Sequence, residues 1–64
     1  MKRNLLLKEI RKRGAVFVRH GKKHDIYENP MTGVIEQIPR HSDIEENLAR
    51  NIIKHFSQME RKEP

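Results

Sequence analysis

Four histidines, His20, His24, His41 and His55, are the side chains best suited to move protons near neutral pH in a chain that has no cysteine. No pair of them has the spacing of a zinc motif, and neither a His-Glu-x-x-His run nor a cysteine pair supports one, so no metal or other cofactor is expected. His55 lies beside Phe56 near the end of a helical pattern, where a cation suits the helix dipole and a structural role is the simpler reading. His20 reads as a polar turn residue. His24 stands out because it follows Gly21, Lys22 and Lys23 and opens an extended stretch. An imidazole among ammonium groups suits metal-free RNA cleavage. In that chemistry a base takes the proton of the ribose 2′-hydroxyl, cations stabilise the phosphorane-like transition state, and an acid protonates the leaving oxygen. The plainer reading is a surface histidine in a basic turn.

Arg19, Lys22, Lys23, Arg40 and His41 are the candidates for holding phosphate around His24, and Tyr27 is the candidate for stacking on a base. Each has an alternative. Arg40 offers a planar fork of donors, but it also has Asp43 or Glu36 as a possible ion-pair partner, and His41 is placed to hydrogen-bond the start of the next helix. A tyrosine on a half-buried strand more often packs than stacks.

These residues need elements to carry them, and the chain supplies five. Leu6, Leu7 and Ile10 make one apolar stripe with Lys2, Lys8, Arg11 and Lys12 around it, which predicts an amphipathic helix over 2–13 ended by Gly14. Three short β-type stretches follow, over 15–19, 23–28 and 34–38. In the second, His24, Ile26 and Glu28 fall on one face and Asp25 and Tyr27 on the other. Residues 29–33 suit a hairpin loop with a bulge, and Pro39 closes the third strand. Ser42 with Glu45 matches a capping box, with Asn47 as a rival cap, and Leu48, Ile52 and Phe56 recur at intervals of four, predicting a second helix over 47–57. Residues 58–64 are expected to form a frayed tail. Three strands and two helices, each with one greasy face, are best satisfied by an α+β layout. It has α-β-β-β-α order, a three-stranded antiparallel sheet and both helices on one side, as in double-stranded-RNA-binding-like folds.

At 64 residues the chain holds one domain, taken as 1–57, with one modest core. No apolar run approaches the roughly 20 residues that span a bilayer. No membrane association is expected, and a cytoplasmic location follows by elimination. The net charge of +5 is uneven: residues 1–24 carry a net +8 and residues 25–64 a net −3. The first third should therefore meet a polyanion such as RNA, or an acidic protein. DNA is the weaker candidate, because only Arg50, Asn51 and Lys54 resemble the base-reading face of a recognition helix. Among RNA readings, a non-catalytic RNA-binding module is the alternative to a nuclease.

The combination Lys8-Glu9-Ile10, Gly14, Phe17-Val18-Arg19, Gly21, His24-Asp25-Ile26-Tyr27, Asn29-Pro30, Thr32-Gly33 and Pro39-Arg40-His41, continued by Glu46-Asn47-Leu48-Ala49-Arg50 and Ile52-Ile53-Lys54, resembles the HicA toxin family of small messenger-RNA interferases. The resemblance covers about residues 3–57. It implies a double-stranded-RNA-binding-like fold, ribosome-independent endoribonuclease activity on messenger RNA, and neutralisation by a cognate HicB-type antitoxin. The family's single catalytic histidine falls on His24. Two departures are visible. In Gly21-Lys22-Lys23-His24, Lys23 stands where many members have a serine directly before the histidine, and His55-Phe56-Ser57 stands where many end the last helix with Leu-Gly.

Overall fold

The computed structural model describes residues 1–57, and the expectation for the segment 58–64 lies outside the described residues. Helix α1 (Arg3–Lys12) is followed by strands β1 (Val16–His20), β2 (His24–Glu28) and β3 (Ile35–Pro39) and by helix α2 (Glu46–Ser57). The strands form one antiparallel meander in the order β1-β2-β3. The α-β-β-β-α layout expected from the hydrophobic pattern is therefore the one observed.

Leu6, Leu7 and Ile10 of α1 and Ala49, Ile52 and Phe56 of α2 bury their apolar faces against Tyr27 and Ile38, with Ala15 and Ile44 closing the ends. Strand alternation explains the one-sided core: Asp25 and Tyr27 of β2 are buried with Ile38 of β3, while His24, Ile26 and Glu28 face the other way. Phe56 is 1% exposed and is among the largest fully buried side chains. Phe56→Ala is expected to cost about 3–5 kcal/mol, read as a lower urea midpoint at an unchanged slope.

Local signals differ from the sequence reading in two places. The cap of α2 is Glu45, whose carboxylate accepts the Leu48 N–H at 2.9 Å. Ser42 instead uses its carbonyl to accept the Arg3 N–H at 2.9 Å, because the start of the chain pairs with the segment before α2. The bulge lies in β1, where the register to β2 slips between Phe17 and Arg19; the β2–β3 hairpin keeps regular pairing, its loop closed by the Asn29 N–H to Val34 carbonyl bond of 2.9 Å. Gly14 ends α1 at φ +97°, as expected, and a Cβ there would meet the Asn29 amide at 2.8 Å.

Candidate nucleic-acid interface

The site is built from the β1–β2 turn upward. Gly21 donates its N–H to the His24 carbonyl at 2.7 Å, closing a tight turn over residues 21–24. A Cβ on Gly21 would stand 2.8 Å from that same carbonyl, so the turn requires glycine for close approach. Lys22 and Lys23 are exposed at its tip, and His24 begins β2 on the face away from the helices.

Asp25, the next residue, points the opposite way and is the anchor of the whole corner. It is 7% exposed, yet three cationic or polar side chains converge on it. His20 Nδ1 lies 2.8 Å and Arg40 Nε 2.9 Å from Oδ1, and Arg3 Nη2 lies 2.6 Å from Oδ2. The His20 and Arg40 hydrogen bonds, aided by the positive charge of both groups, hold the carboxyl down to about 2 against the opposing effect of burial. Arg3 also donates Nε to the Pro39 carbonyl at 2.7 Å, tying the start of α1 to the end of β3.

Arg40 then spends its remaining donors on the turn. Nη1 donates to the Lys22 carbonyl at 3.1 Å, and Nη2 donates to the carbonyls of Gly21 and, at 3.4 Å, His24. The alternative ion pair expected for Arg40, with Asp43 or Glu36, is not the one made: Asp43 approaches Lys2 and Glu36 bonds the His55 ring. The guanidinium assigned from sequence to phosphate is thus turned onto Asp25 and the turn carbonyls.

On the open face the strands bring Arg19, Ile26 and Gln37 into one cross-strand row, with His24 beside Pro39 in the next. Together with the turn these residues line a shallow concavity of about 350 Å³, formed by Arg19, Gly21, Lys22, Lys23, His24, Ile26 and Gln37. Four of the sequence-assigned residues, Arg19, Lys22, Lys23 and His24, therefore meet in one place. The His24 ring has no hydrogen-bond partner among the described residues, whereas His20 and His55 are each bonded to a carboxylate. His41 is exposed two positions beyond Pro39, the register partner of His24. Tyr27 is on the other side of the sheet at 3% exposure, so stacking on a base gives way to packing in the core, its hydroxyl 3.4 Å from Arg11 Nη2.

The arrangement can bind a phosphate chain through three flexible cations and present a free imidazole to it. Among the described residues no three His, Asp or Glu side chains converge as a metal site. None of the described helices is long and apolar enough to cross a membrane. Comparison with family models, curated proteins and solved structures finds no match for the chain.

Proposed function

We propose that the protein is an RNA-binding domain that holds single-stranded RNA across the open sheet face at the β1–β2 turn. The observation that carries this reading is the concavity where Arg19, Lys22 and Lys23 surround the ring of His24. Its walls are basic and its floor is the apolar Ile26. Reversing both lysines, Lys22→Glu with Lys23→Glu, should weaken RNA affinity for all sequences and lower the slope of log affinity against log salt by about 2. Fluorescence anisotropy over a salt series measures both. An unchanged slope and affinity would remove the turn from the interface, and equal competition by DNA of the same length would remove the preference for RNA.

A second reading, supported by the unbonded ring of His24 in that concavity and by the HicA-like run of Gly21, His24, Ile26 and Tyr27, is endoribonuclease activity. His24 would take the 2′-hydroxyl proton, the 2′ oxygen would attack the adjacent phosphorus, and the bond to the 5′ oxygen would break. A 2′,3′-cyclic phosphate is left on one fragment. The 5′ oxygen takes up a proton from water or from the imidazolium. Lys22, Lys23 and Arg19 would stabilise the charge that builds on the phosphoryl oxygens. An acidic antitoxin of the HicB type would fit the same basic face and block it by occupying it.

A further inference from the structure

Strand β1 differs from its neighbours in being exposed along its whole length. Phe17 pairs with Tyr27 in register and so faces the helix side, where Tyr27 is 3% exposed, but Phe17 remains 45% exposed. The helices cover β2 and β3 and leave the β1 side of the sheet open. Of the three phenylalanine and tyrosine rings in the chain, Phe17 alone is not buried.

Its surroundings fix its orientation. The Tyr27 ring meets it edge-on, with centroids 5.7 Å apart and planes at 71°. The His20 ring lies 4.8 Å away at 56°, and His20 is itself held by the 2.8 Å bond to Asp25. Two aromatic rings, both accessible and both held from behind, form an open ledge. Arg11, whose Nη2 reaches the Tyr27 hydroxyl at 3.4 Å, adds a cation at its inner edge. Arg19 precedes His20 and emerges on the opposite face, in the concavity with Lys22 and Lys23. A strand of RNA crossing the edge of β1 at these two residues would meet phosphate-binding groups on one side and aromatic rings on the other.

We propose that Phe17 and His20 form a stacking platform for one unpaired base of single-stranded RNA, whose phosphates Arg19, Lys22 and Lys23 hold across the strand. The proposal rests on the RNA-binding reading above. Positive charge on both sides favours a polyanion over an apolar protein partner, and π-faces accept any base, so the platform sets no sequence preference of its own. Rings already fixed by Tyr27 and Asp25 lose little freedom when a base lands on them.

The test uses a fluorescently labelled 2′-O-methyl oligouridine, which resists cleavage, and an abasic sugar-phosphate strand of equal length. Phe17→Leu should weaken binding of the oligouridine about tenfold and leave the abasic strand unchanged. Phe17→Trp should bind the oligouridine like the wild type, and because the chain has no other tryptophan, quenching of its indole fluorescence reports contact with the base. Equal loss on both strands, or no loss with Phe17→Leu, overturns the platform while the RNA-binding reading stands. An unquenched tryptophan in a protein that binds the oligouridine overturns it as well. A wild type that binds neither strand overturns both.

Discussion

If the domain cleaves RNA as the second reading proposes, His24→Ala is expected to slow that cleavage by about 10²- to 10⁴-fold, the usual contribution of a proton-transfer residue, while RNA affinity stays within about twofold. The separation is expected because the mutation removes only the ring. The His24 carbonyl, which accepts the Gly21 N–H at 2.7 Å and a bond from Arg40, is retained, so the turn and its lysines keep their places. The measurement is a time course on an end-labelled messenger-RNA fragment in excess EDTA, with an all-deoxy strand as the control that lacks the attacking hydroxyl. Cleavage that survives His24→Ala would assign the proton transfer elsewhere. If wild type and mutant bind equally and neither cuts, the binding module is the whole function.

Asp25→Asn is expected to damage both the fold and the site. A carboxylate accepts from His20 and Arg40 on one oxygen and from Arg3 on the other, whereas an amide replaces one of those oxygens with a donor that faces donors. Breaking such a network leaves guanidinium groups without their counter-charge, and in a domain this small the thermal midpoint should fall by roughly 10 °C or more. The pH dependence has a definite sign. Because the folded carboxyl is lowered from 3.8 to about 2, its stabilising contribution is complete above the unfolded value and disappears as pH falls through the window between them. Midpoints measured from pH 6 to pH 2 should show that decline in the wild type and a shallower one in Asp25→Asn. Parallel curves would mean that the cluster contributes nothing to acid stability.

Much of the fold was legible because periodicity reports burial directly. The stripe of Leu6, Leu7 and Ile10, the four-residue spacing of Ile52 and Phe56, and the alternation along β2 each locate an element within a residue or two. The site was legible in part. Gly21, Lys22, Lys23 and His24 are consecutive or nearly so, and local sequence shows them together; Arg19 joins them through strand register. The Asp25 cluster was not visible, since its members come from residues 3, 20, 25 and 40 and meet only once strand register brings His20 and Arg40 to Asp25 and the packing of α1 adds Arg3. For that reason the sequence around Arg40 points to phosphate or to nearby acids, whereas its partner lies 15 residues back. The alternation that puts Tyr27 opposite His24 did contain the answer for Tyr27, since a face shared with the core excludes the face shared with the site. The exposure of Phe17 had no such signal: which strand the helices leave uncovered depends on where they settle.

The slipped register in β1 also bears on how the protein behaves at high concentration. A sheet whose outer strand carries half-exposed apolar residues would ordinarily invite a second molecule to add its own strand and begin a fibril. Here the extra residue between Phe17 and Arg19 bends that strand and spoils the even ladder of donors and acceptors that a growing β-stack must copy, and Arg19 and His20 place polar groups at its end. An accessible aromatic ledge can thus be kept open for use without becoming a seed for aggregation.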